Sequence, residues 1–82
     1  MSARAKLVAK IRNNPKDVRF RDACLVAEWI GFKHTSGKGS HRAFARTGER
    51  TQLNFQDRNG LISPYQARQL IDMLDLYWND DE

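Results

Sequence analysis

The chain is poor in cysteine and proline, with one Cys and two Pro in 82 residues. A single thiol cannot close an internal disulfide, so no covalent staple is available. Cys24, set among apolar neighbours, fits a reduced, intracellular and hence cytoplasmic setting. Long apolar runs are missing too. None approaches the ~20 residues that a membrane-spanning helix needs, and the basic N-terminus lacks the continuous apolar stretch of a secretory signal. Histidine is scarce, at positions 34 and 41 only. With Cys24 expected inside, two histidines without further donors make no zinc site, so neither a metal nor another cofactor is expected. A Cys/His nucleophilic pair fails on the same burial.

What is present suits one small domain over 1–82, with a core from 17 to 78 and an acidic tail at 79–82. The 40% apolar content, including four Phe, two Trp and two Tyr, supports a modest core. Charge is divided unevenly. Residues 1–50 carry twelve Lys and Arg against four Asp and Glu, whereas residues 51–82 carry two against six. The basic front half suits an anionic partner, for which nucleic acid is the commonest chemistry, and it also suits a plain solvated surface.

The apolar spacing predicts a helix over 3–13, where Leu7, Val8 and Ile11 share a face, with Ser2 as N-cap and Asn13-Asn14-Pro15 as a stop. A second helix is expected over 20–30, apolar almost all round and therefore buried, with Gly31 just past its end. The period then changes to two. Residues 32–35, 41–46 and 50–55 read as strands, with Thr47-Gly48-Glu49 joining the last two and a turn at Asn59-Gly60. A third helix starts at Ser63 with Pro64 at its first position and Gln66 completing a capping box. Ala67, Leu70, Ile71, Leu74, Tyr77 and Trp78 mark its buried face. The order gives an α+β fold, a three-stranded antiparallel sheet with helices packed on one face and an extra N-terminal helix.

The stretch Thr35-Ser36-Gly37-Lys38-Gly39-Ser40-His41 holds the chemistry worth weighing. It is no phosphate-binding P-loop, because its lysine lies between the glycines and a strand follows where a helix is required. It remains either an ordinary glycine-rich hairpin connection or a loop that presents His41. Strand alternation puts His41, Ala43 and Ala45 on one face and Phe44 on the other. If Phe44 faces the helices, His41 emerges on the open face beside small residues, with Gln52 and Asn54 on that face too. Lys33, Lys38, Arg42, Arg46 and Arg50 are expected to surround it with positive charge. Imidazole, ordinarily titrating near ~6.5, can take a 2′-hydroxyl proton or protonate a leaving oxygen. His34 is expected to share the Phe32 face as a partly buried histidine. Trp29, Tyr77 and Trp78 read as core or partner-contact residues rather than base-stacking platforms, and Tyr65 as an exposed one.

The helix ending Trp-Ile-Gly-Phe, a short strand, Gly-Lys-Gly-Ser-His, a strand with Phe, a hairpin and a final helix together resemble the HicA-type toxins. These are mRNA interferases of type II toxin–antitoxin systems. The similarity spans roughly residues 17–78, with Gly-Ser-His ahead of an alternating strand at its centre. It implies a fold like the double-stranded RNA-binding domain and translation-blocking cleavage of mRNA without a metal, with His41 as catalytic general acid or base. It implies RNA contacts at Lys33, Lys38, Gly39, Ser40, Arg42, Arg46 and Arg50, and neutralisation by a HicB-type antitoxin protein. The chain departs from the family in its extra helix 3–13 and in reading Leu-Asn-Phe-Gln where a Pro-x-His ending is frequent. Its final helix opens with Ser-Pro-Tyr-Gln rather than Gly-Thr-Leu. The missing second histidine leaves His34 and Lys38 as the nearest helpers in sequence. A non-catalytic RNA-binding module of the same fold is the alternative, and a DNA-binding role for an assembled complex is a third.

Overall fold

Helix α1 (Ala3–Asn13) starts where the Ser2 hydroxyl accepts the Ala5 N–H at 3.1 Å, occupying an otherwise orphaned first-turn donor. A computed structural model describes residues 2–79; most of the acidic tail, Asp80-Asp81-Glu82, lies outside the described residues. Lys10 and Arg12 in the last turn of α1 suit the helix C-terminus. The chain then leaves the helix at Asn14, ahead of Pro15. A single 3-10 turn, Pro15–Asp17, leads into a short bridge. There Phe20 donates to the Gly60 carbonyl and Ile62 to the Val18 carbonyl.

Helix α2 runs Phe20–Trp29 and ends in a Schellman arrangement. Gly31 N–H meets the Glu28 carbonyl at 3.1 Å and Phe32 N–H the Ala27 carbonyl at 3.0 Å. It is less buried than its composition suggests. Phe20, Ala23, Cys24, Val26 and Ala27 face the core, while Arg21, Leu25 and Glu28 face solvent. One side of α2 is therefore amphipathic surface, because a domain this small has only one layer to cover it.

Three strands form one antiparallel sheet in the order β1-β2-β3: β1 (Lys33–Lys38), β2 (His41–Ala45) and β3 (Leu53–Gln56). Two strand ends differ from the sequence expectation by three residues and the others by at most one. β1 reaches Lys38 rather than Thr35, since the ladder continues through Gly37 to a two-residue turn at Gly39-Ser40. β3 starts at Leu53 rather than Arg50, because the Glu49 carboxylate takes the Thr51 N–H at 2.8 Å and holds that segment in a local turn. A bulge at Thr35 separates the pairs His34–Phe44 and Ser36–Ala43.

Arg58 and Leu61 exchange backbone hydrogen bonds around Asn59-Gly60, and Asp57 Oδ1 accepts the Gly60 N–H at 2.6 Å. Helix α3 (Pro64–Tyr77) follows, capped by the Ser63 hydroxyl on the Gln66 N–H at 3.2 Å. The Gln66 side chain does not turn back to complete a capping box. Its amide oxygen accepts the Gln56 N–H at 3.1 Å, so the start of α3 is tied to the end of β3.

The core lies between the helices and one sheet face. It joins Val8 and Ile11 of α1, the inner side of α2, Phe32, Phe44, Leu53 and Phe55, and Ala67, Leu70, Met73 and Leu74 of α3. Phe44 stacks at a tilt on Phe55, with centroids 5.8 Å apart. No polar side chain is fully buried among the described residues. The fold is thus a small α+β domain of three helices and a three-stranded antiparallel sheet.

Candidate functional site

The two-residue turn decides where His41 goes. Gly39 has φ +68 and Ser40 does not take a positive value, the sign pattern of a type II′ turn, which matches strand twist. His41 is therefore the first residue after the turn, paired with Lys38 on one side and Gln56 on the other. Gly37 is needed for a different reason. A Cβ there would stand 2.2 Å from the His41 carbonyl oxygen, so only glycine lets β1 approach the backbone of the histidine this closely. The Ser40 carbonyl accepts the Asp57 N–H at 2.7 Å, which fixes the turn against the end of β3.

Paired residues across antiparallel strands project to the same face, so the register assigns every side chain of the sheet. Phe44 and Phe55 are 1% and 0% exposed, which marks their face as the covered one. The open face then carries three rows. Lys33, Ser36 and Lys38 stand on β1, Ala45, Ala43 and His41 on β2, and Asn54 and Gln56 on β3. Gln52 continues the last row, exposed between half-buried Thr51 and buried Leu53. The floor between the outer rows is alanine, and His41 is exposed at one end of it.

The expected cationic ring breaks up. Arg42 pairs with Phe55, so it shares the covered face. Its guanidinium lies 5.7 Å from the Phe20 ring centroid, in a concavity with Cys24, Leu25 and Glu28. Arg46 stacks 3.9 Å over the Tyr77 ring, against Gly31. Both arginines stand behind the sheet and not around His41, a correction that strand alternation itself explains. Arg50 is exposed in the β2–β3 connection and Lys33 pairs with Ala45, both at the end of the sheet away from His41. Lys38, Gly39 and Ser40 are the expected RNA contacts that do adjoin it.

Arg58, which sequence reasoning passed over, adds a cation at this end: its guanidinium donates to Gln56 Oε1 at 3.3 Å. No local pattern flags it, since only the His41–Gln56 register brings it near. His34 pairs with Phe44 and its ring lies 5.6 Å from that ring. It belongs to the covered face, though exposed at the sheet edge rather than partly buried. The open face therefore holds one imidazole, and His34 cannot assist it there.

Burial pushes the Cys24 thiol up from its ordinary range, opposed by the nearby Arg42 charge, so the protonated, unreactive form is favoured. Among the described residues no group of three or more His, Cys, Asp or Glu side chains is arranged to hold a metal ion. No helix among them is long and apolar enough to cross a membrane. No protein-family model, curated protein or solved structure matches the chain.

Proposed function

We propose that the chain is a HicA-like endoribonuclease toxin that cleaves mRNA and blocks translation, with His41 as its proton-transfer group and a HicB-type antitoxin as its protein partner. The observation that carries this reading is the placement of His41. It is exposed, next to a tight turn, on an open sheet face whose floor is alanine and whose neighbours are Lys38 and Gln56. The α2-β1-β2-β3-α3 order, with helices against one face, supports the likeness to a double-stranded RNA-binding domain. Helix α1 is the extra element.

The chemistry follows from what those neighbours offer. Neutral His41 accepts the 2′-hydroxyl proton as the 2′-oxygen bonds to phosphorus. The 5′-oxygen departs and takes a proton, leaving a 2′,3′-cyclic phosphate and a 5′-hydroxyl. Lys38 stands opposite to meet the negative charge on the phosphoryl oxygens. A single imidazole serves in both proton transfers or shares them with solvent.

His41→Ala is expected to lower cleavage of a single-stranded RNA by about 10²- to 10⁴-fold while leaving RNA binding in place. An unaltered rate would remove His41 from the chemistry. A substrate with one 2′-deoxy residue should resist cutting at that residue, and cleavage should survive EDTA. The alternative, a binding module without catalysis, is favoured by the absence of a second imidazole on the open face. It predicts RNA binding with no cleavage products at all.

A further inference from the structure

We propose that the amide row on β3, Gln52, Asn54 and Gln56, reads the bases of a single-stranded RNA laid along β2, and so sets the cleavage preference. The inference rests on the ribonuclease reading and names the substrate form and the residues that select it. Its basis is the composition of the three rows. Within the strands, the open-face cations stand on β1, at Lys33 and Lys38; Ala45 and Ala43 lead up to His41 on β2; amides occupy β3, with Arg58 just beyond its end holding Gln56. A strand of RNA seated on the alanine floor would turn its phosphates to the lysines and its bases to the amides.

The dimensions agree. Neighbouring strands lie about 4.8 Å apart, so the lysine and amide rows are separated by roughly 10 Å. That is wide enough for one nucleotide strand and too narrow for a duplex. Successive amides on one face of a strand are about 6.8 Å apart, a step that suits unstacked, extended nucleotides. Asparagine is disfavoured in strands, yet Asn54 sits within the short β3 with its side chain exposed. A carboxamide offers a donor and an acceptor side by side, the complement of adenine N7 and N6. Gln56, opposite His41 and held by Arg58, faces the nucleotide at the cut. Asn54 and Gln52 face the next two outward. Adenine is thus the base expected at those flanking positions.

A randomised single-stranded RNA pool, cut by the purified chain and sequenced at its ends, tests this. Wild type should favour adenine at the nucleotide facing Asn54. Asn54→Ala should reduce that preference by about tenfold, and Gln52→Ala should act one nucleotide further out. The positional preference is the readout, not the overall rate. Cleavage maps for both variants that match wild type would overturn the amide row and leave the ribonuclease reading standing. Absence of cutting by wild type would instead sink the ribonuclease. In that case binding of fluorescent A-rich and C-rich octamers still decides, because loss of discrimination in Asn54→Ala supports the row and equal discrimination refutes it.

Discussion

Two glycines flank Lys38, and they do different work. At Gly37 an added Cβ meets the His41 carbonyl at 2.2 Å, whereas at Gly39 nothing lies within 4 Å. Both have positive φ, +81 and +68. Gly39→Ala should therefore cost only the backbone term, about 1–2 kcal/mol. Gly37→Ala should cost more and also displace the backbone that carries His41, so thermal melting and RNA cleavage fall together. A Gly37→Ala chain as stable and active as Gly39→Ala would contradict this geometry.

A second residue-scale contact joins the β2–β3 connection to α3. The Tyr77 hydroxyl donates to Glu49 Oε1, and the Thr51 N–H donates to Oε2. The Tyr77 bond, followed by the backbone donors, holds the Glu49 carboxyl below its ordinary range. The same bond, with desolvation, pushes the Tyr77 phenol up. A depressed carboxyl contributes stability above its unfolded pKa, ~4.3, and that stability is lost as pH falls through the lower folded value. A raised phenol contributes below ~10 and loses its share as pH rises through the folded value. The contact is thus fully present between the two. Tyr77→Phe should flatten the acid limb of a melting-temperature profile, and an unchanged limb would show that Glu49 draws no stability from the phenol.

At the level of elements, the helices were legible and the strand ends were not. α1 and α3 announce themselves through Ser2, Ser63-Pro64 and apolar residues at spacings of three and four, all local signals. β1 hid its second half because Gly37 and Lys38 read as loop, and their ladder partners lie on another strand. Gln66 was legible as a helix-start residue, but its partner was not: it bonds the Gln56 N–H of β3 instead of its own cap. Ser63→Ala should lower stability by about 1 kcal/mol. Gln66→Ala should chiefly fray the end of β3 beside His41, seen as faster amide exchange at Gln56 with a small change in melting. Equal protection of Gln56 in both variants would remove that tether.

For the whole molecule, the surplus of positive charge in residues 1–50 does not collect on the open sheet face. Arg42 and Arg46 lie behind the sheet, and Arg4 covers the Trp29 ring at 4.8 Å. Under the proposed function, Lys33, Lys38 and Arg58 are the cations on or beside that face left to meet RNA phosphates. Three such contacts give a salt slope of roughly −2 for a single strand. Lys38→Ala should lower its magnitude by about 0.7, and Arg42→Ala should leave it as it is. A drop with Arg42→Ala would mean that RNA reaches the helix side.

The amino-acid order by itself determined what depends on near neighbours. Three helices, a change to period two, a turn before His41 and the alternation that separates His41 from Phe44 were all readable from it. That alternation also separates Arg42 and Arg46 from His41, so their side was readable too. Only the tertiary structure decided which strands pair and in what register. It thereby set Lys38 and Gln56 beside His41, aligned the β3 amides with the alanine floor and brought Arg58 in through Gln56. Register is set by packing Phe44, Leu53 and Phe55 against two helices at once, a sum over residues far apart in the chain that no local stretch contains.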